Sequence, residues 1–169
     1  MALLRQCILL ALICVAIPAV SADEGPPQFL EARPACLVTD RGAVHLKLER
    51  ATTDRQRRIG LMERKSLPPE RGMVFLYEDQ RSANAGFWMY RTRIPLDIAW
   101  LDEQGVIINT DTMTPCTTPS AILCPTWEPG VSHRMVLEVN AGFFEENHVD
   151  KGDKLILNPK DHKECQTGV

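Results

Sequence analysis

What most constrains this chain is the way short apolar stretches alternate and then break at glycine, proline or acidic turns. Ala43 to Glu49 alternates with Val44, Leu46 and Leu48 on one face, the signature of a half-buried strand. Met73–Tyr77 and Gly86–Tyr90 read as further short strands. Ile94 to Leu101 sets Ile94, Leu96, Ile98 and Trp100 on one face and Asp97, Ala99 and Leu101 on the other, with Pro95 placing its start at an edge or bulge. Asp102-Glu103-Gln104-Gly105 is a hairpin turn into Val106-Ile107-Ile108, and His133–Asn140 and Lys154–Leu157 complete the set. Helical signals are brief. Thr52-Thr53-Asp54 caps a helix over 55–62, and Asn140-Ala141-Gly142 precedes one over 143–148. Strands too short and too many for a helical bundle predict an all-β fold, a small antiparallel β-sandwich or barrel with one or two short helices.

The N-terminus bounds the compartment. Arg5 precedes an apolar run from Cys7 to Val20, and Val20-Ser21-Ala22 offers small residues for cleavage between Ala22 and Asp23. That order is a secretory signal over residues 1–22. The run is shorter than the roughly 20 apolar residues of a spanning helix, so no stable membrane anchor is expected after cleavage. The expected organisation is a signal at 1–22, a flexible polar leader at 23–35, a single domain at 36–165 and a tail at 166–169, in the periplasm or secreted. With 19 Lys and Arg against 22 Asp and Glu and no basic stripe, nucleic acid is not an expected partner.

Of six cysteines, Cys7 and Cys14 leave with the signal, and Cys36, Cys116, Cys124 and Cys165 remain. Four cysteines in an exported chain favour disulfides over a four-thiolate zinc site, which usually presents Cys-x-x-Cys pairs. Three connectivities are open. Cys116–Cys124 closes a short proline-rich loop, and Cys36–Cys165 joins the two ends of the domain, which commonly lie close together.

Four segments in order, Gly60-Leu61-Met62-Glu63-Arg64, Gly72-Met73-Val74-Phe75, Phe87 to Ile98 (FWMYRTRIPLDI) and Val136 to Gly142 (VLEVNAG), resemble the domain-of-unknown-function 192 family over about residues 44–157. The resemblance implies an all-β, jelly-roll-like sandwich, often secreted or periplasmic in bacteria, and no particular reaction. The family pattern has Asn before the Thr of its third motif, whereas this chain has Arg91, which cannot accept a hydrogen bond as an amide does.

Arg64, Asp97 and Glu138 interrupt apolar sequence and are expected to converge. A carboxylate among apolar neighbours needs a partner or becomes neutral. They form either a structural salt bridge or, with Trp88 as an aromatic wall, a pocket for a small polar or anionic ligand. This makes a non-enzymatic binding module the first reading. Two alternatives stand beside it: a hydrolase using Asp97 and Glu138 as paired carboxylates, and a copper-handling protein using the methionines, which otherwise fill the core. The scattered histidines lack metal-ligand spacing, no serine sits in a nucleophile elbow, and no cofactor is expected.

Overall fold

The computed structural model describes residues 27–166; the signal sequence expected at 1–22 and its cleavage point lie outside them. The fold is all-β with two short helices. Its strands are β1 (Ala32–Thr39), β2 (Gly42–Ala51), β3 (Arg71–Arg81), β4 (Phe87–Trp88), β5 (Leu96–Leu101), β6 (Ile107–Met113), β7 (Thr126–Trp127), β8 (His133–Asn140) and β9 (Lys154–Ile156). The helices are α1 (Asp54–Ile59) and α2 (Phe143–Asn147). Seven strands form one sheet in the order β6-β5-β8-β3-β2-β1-β9, and β4 and β7 pair separately. No described helix is long and apolar enough to cross a membrane.

The large sheet curls until its edges meet. Ile107 N–H donates to Asp153 C=O at 2.8 Å, Leu155 N–H donates to Gly105 C=O at 2.8 Å, and Val106 bridges Lys154, so β9 and the start of β6 close the ring. Every strand of the ring sends alternate residues inward, among them Leu37, Leu48, Val74, Leu101, Ile107, Leu137 and Leu155, with Phe143 and Phe144 of α2 plugging one end. Closure of this kind removes the unpaired edges that invite aggregation.

Three features depart from the reading of the sequence. First, β2 and β3 are parallel, the one parallel pair in an otherwise antiparallel sheet. The crossover over 52–70, containing α1, is long enough to return the chain to the starting end, which a tight turn is not. Second, β1 starts at Ala32, inside the stretch read as flexible leader, and Gln28 and Leu30 are already hydrogen-bonded to the domain. Pro34 is tolerated because β9 pairs β1 only from Cys36 onward, leaving that side of Pro34 without a strand to donate to. Third, Gly86–Tyr90 yields only the two-residue β4.

A second core lies on the outer face of β3, β8 and β5. Met73, Phe75, Val136, Leu96, Ile98 and Trp100 pack there under Leu61, Leu67, Met89 and Cys116. Capping fixes α1 over this layer. Thr53 accepts from Gln56 N–H while the Gln56 side chain accepts from Thr53 N–H, and Gly60 ends the helix at φ +48°. Gly72 is required by close approach: a Cβ there would stand 2.6 Å from the Glu138 carbonyl oxygen.

Candidate functional site

Alternation along β8 turns Leu137 and Val139 into the barrel and Val136 and Glu138 to the outer face. In register, Glu138 stands beside Met73 of β3 and Ile98 of β5, and Met73 stands beside Glu49 of β2. A pocket of about 120 Å³ opens over Glu138. Its walls are Gly60, Leu61 and Met62 after α1, Phe75 and Tyr77 of β3, Gly86, Phe87 and Trp88 around β4, and Thr92, with Arg57 and Arg58 also facing it. Gly60 keeps the wall thin, since a Cβ there would lie 3.3 Å from the Phe75 ring.

The Glu138 side of this pocket is electrostatically unfinished. Glu138 is 5% exposed, and among the described residues its carboxyl accepts no hydrogen bond. Burial pushes its pKa up to about 8, with Arg64 pulling weakly the other way. Arg64 is largely committed elsewhere, though its buried Nε–H has no partner among the described residues. Its two terminal nitrogens donate to the Glu49 carboxylate at 2.7 Å each, one of them also donates to Gln28 C=O at 2.6 Å, and its guanidinium lies 4.7 Å from the Phe29 ring centroid. Leu30 N–H adds a third bond to Glu49 at 2.6 Å. This fork pins the segment before β1 to β2 and to the end of the α1 loop.

Arg57 is likewise held, donating to Leu76 C=O at 2.8 Å and lying 4.9 Å from the Tyr77 ring centroid. Burial raises the Tyr77 pKa, with Arg81 and Arg57 opposing. Arg58 is exposed and has no bonded partner among the described residues. Trp88 is 44% exposed, its ring 5.9 Å from that of Tyr90.

The expected convergence of Arg64, Asp97 and Glu138 is corrected. Glu138 and Trp88 share the pocket, and Arg64 sits behind it on Glu49. Asp97 is elsewhere. It stands beside Val139, not Glu138, so its side chain leaves the opposite face of the sheet. There its carboxylate accepts from the Thr112 hydroxyl at 2.8 Å and from Phe144 N–H at 3.0 Å. Gly142, which starts α2, has no side chain to cap it, and Asp97 supplies that cap from β5. A paired-carboxylate mechanism across Asp97 and Glu138 therefore has no geometry.

Arg93 and Arg91 both donate to Glu63, at 2.7 and 2.8 Å, which lowers the Glu63 pKa, Arg91 being the larger cause. Arg91 has φ +58°. Left-handed backbone of this kind favours Asn over most residues, which gives a backbone reason for the Asn in the motif at that position. Cys36 bonds Cys165 and Cys116 bonds Cys124, with Cα separations of 6.1 and 5.8 Å. Met73, Met89 and Met113 are buried in the outer core, Met62 lines the pocket, and Met135 packs against the barrel interior.

The signature of the family described as Uncharacterized ACR, DUF192, matches residues 36–157. The chain belongs to this family. Its four motif segments meet at the Glu138 pocket: Gly60 to Met62, Phe75, then Phe87, Trp88 and Thr92, and Glu138 itself. Two solved structures share the fold with a TM-score of 0.67 each. One is a proposed transcription regulator from Sinorhizobium meliloti 1021, 27% identical, with 76% of this chain and 95% of that one covered. The other is a protein of unknown function from Novosphingobium aromaticivorans DSM 12444, 29% identical, with 83% and 93% covered. No curated protein sequence matches this chain.

Glu49, Phe75, Tyr77 and Thr92 join the site only through the fold. Phe75 and Thr92 stand in the motifs and were findable there. Tyr77 and Glu49 carry no local signal, because each becomes buried only through segments distant in sequence.

Proposed function

We propose that this chain is a non-enzymatic binding module that works outside the cytoplasm and holds a small polar ligand in the pocket over Glu138. One observation carries the reading: a buried carboxyl, without a hydrogen bond, faces a cavity walled by the family's motif residues. Natural cores rarely keep such a group at a cost to stability unless something binds it. The extracytoplasmic setting is supported by the signal-like residues 1–22 and by the two disulfides. A non-enzymatic role is supported by the separation of Asp97 from Glu138, which leaves one acid in the pocket.

A thermal-shift screen of polar metabolites, with mass spectrometry of small molecules that co-purify, tests the proposal. A true ligand at a hundred times its Kd should stabilise the fold by about 2.7 kcal/mol. Trp88→Ala, at a half-exposed position, should abolish that gain and leave the unliganded melting temperature within a few degrees. If no compound of any class shifts the melt or co-purifies, the binding role fails.

A further inference from the structure

We infer that the group recognised in the pocket is a carboxylate, held by the Glu138 carboxyl as an O–H donor together with the Thr92 hydroxyl and the Arg58 guanidinium; this rests on the pocket being a binding site. The pocket is rich in spare donors. Thr92 is 5% exposed and lines the pocket, and its hydroxyl has no hydrogen bond among the described residues. Arg58 lines the same space and has no bonded partner among them either. Burial lifts the Glu138 carboxyl to about 8, so at pH 7 it is protonated and presents an O–H. Behind it, Arg64 adds a buried Nε–H without a partner. Arg57 is bonded to Asp54 and to the Thr52 and Leu76 carbonyls, and its charge still faces the pocket. Interiors rarely leave several polar groups unpaired together. A carboxylate answers such a set, because its two oxygens offer about four acceptor sites and no donor.

Rival ligands fit less well. An ammonium ion would bring more donors towards Arg57 and Arg58 and would find Glu138 neutral at pH 7. A metal ion needs several ligating groups, and the described residues contain no cluster of three His, Cys, Asp or Glu. A phosphate group carries about two charges on three oxygens, and Arg58 is the pocket cation left without a bonded partner among the described residues to meet them. Phe75, Phe87 and Trp88 supply an aromatic wall for the carbon part of an organic acid. The charged and titratable groups facing Glu138 are Arg57 and Arg58 from α1, Arg64 from the segment after it, and Tyr77 from β3; Glu49 of β2 stands across Met73, bonded to Arg64. Phe87, Trp88 and Ile98, from the other elements packed there, carry no charge. Burial pushes Tyr77 up and the arginines stay charged, so a change of charge near pH 8 belongs to Glu138.

Benzoate and acetate are the probes, both ionised from about pH 5.5 upward. Benzamide, benzylamine and inorganic phosphate serve as the neutral, cationic and phosphate counterparts, with binding followed by calorimetry and by the Trp88 indole resonance. Glu138 must keep its proton to donate to the carboxylate. Benzoate affinity should therefore be level below about pH 7 and fall roughly tenfold per pH unit above about pH 8, with a proton taken up on binding there. Glu138→Gln, whose amide keeps a donor and does not titrate, should still bind benzoate and lose that pH dependence. Thr92→Val should weaken benzoate about tenfold. Arg58→Ala, at an exposed position, should weaken it severalfold and flatten its salt dependence. Benzamide or benzylamine binding as tightly as benzoate, or benzoate affinity that rises with pH, overturns the carboxylate assignment and leaves the binding pocket standing. Phosphate binding where both carboxylates fail does the same. Silence from every probe also overturns it, and the metabolite screen then decides separately whether the pocket binds anything.

Discussion

Glu49 and Glu138 lie in one row across the sheet, on the same face, separated by Met73, and only Glu49 has a cation bonded to it. Two strand spacings put their backbones about 10 Å apart. One arginine stands near both, and geometry gives it to Glu49. The result is one satisfied acid that ties the fold together and one unsatisfied acid that faces a cavity.

The unsatisfied acid should make stability depend on pH. Glu138 titrates near 8 in the fold and near 4.5 when unfolded. Between those values the folded state holds a proton that the unfolded state has released, so stability is full below about pH 4.5 and falls as pH rises through about 8. The total loss from this group is on the order of 4–5 kcal/mol. Glu138→Gln keeps the shape without the ionisation. It should melt above wild type at pH 8–9 and nearly level with it at pH 4. Denaturant unfolding across pH 4–9 checks this, and parallel curves for the two proteins would refute it.

Removing the shared cation should hurt both acids. Arg64→Ala leaves Glu49 buried with only the Leu30 N–H, at a cost of about 3–5 kcal/mol. It also removes the group that pulls the Glu138 pKa down, so that pKa should climb further. Arg64→Met combined with Glu49→Leu replaces the ion pair by apolar groups of similar size and should recover most of the loss. A double-mutant cycle by chemical denaturation measures the coupling, and additive losses would mean that the pair is not coupled.

The strands were legible in the sequence because alternation survives in any sheet. Val44-Leu46-Leu48 and Ala99-Leu101 do point into the barrel. Register was not legible. The faces of Asp97 and Glu138 could each be read along their own strands, but an offset of one residue between β5 and β8 sends them to opposite sides. Direction was not legible either, since β2 and β3 alternate in the same way whether parallel or antiparallel. Glu49 shows a third limit. The outward face of β2 is exposed at His45 and Lys47 and buried at Glu49 and Ala51, because the segments around residues 28–30 and 60–67 cover only that end. Nothing inside β2 announces the change.

Asp97 should behave as a cap and not as a ligand group. In Asp97→Asn the amide oxygen can accept from Phe144 N–H while its nitrogen donates to the Thr112 hydroxyl, which is able to accept. The loss is then the difference between a charged and a neutral acceptor, about 1 kcal/mol. Asp97→Ala strands a buried N–H at the start of α2 and should cost about 2–3 kcal/mol. Neither change should alter ligand affinity at the Glu138 pocket. Unfolding curves together with the thermal-shift screen test this, and a binding defect in Asp97→Asn with unchanged stability would contradict the assignment.

The two disulfides should differ in what they protect. Cys36–Cys165 encloses 129 residues of separation, so its loop-entropy contribution is about 5 kcal/mol. Cys116–Cys124 spans 8, for which the same reasoning gives about 2–3 kcal/mol. Those figures hold only if the cross-linked ends unfold together with the domain. Cys165 lies in a short turn, Lys163–Cys165, packed on Cys36 and Ile156 from outside the barrel. If that turn peeled away alone, the long link would protect the tail and not the fold. Cys36→Ala with Cys165→Ala should lower the melting temperature sharply if unfolding is cooperative. Cys116→Ala with Cys124→Ala should lower it less, yet disturb Trp88 more, because that loop leads into β7, whose Thr126 pairs with Trp88. Melts of both pairs, read by far-ultraviolet circular dichroism and by tryptophan fluorescence, separate the cases. A first variant that melts like wild type while its C-terminus is clipped by protease would assign Cys36–Cys165 to the tail alone.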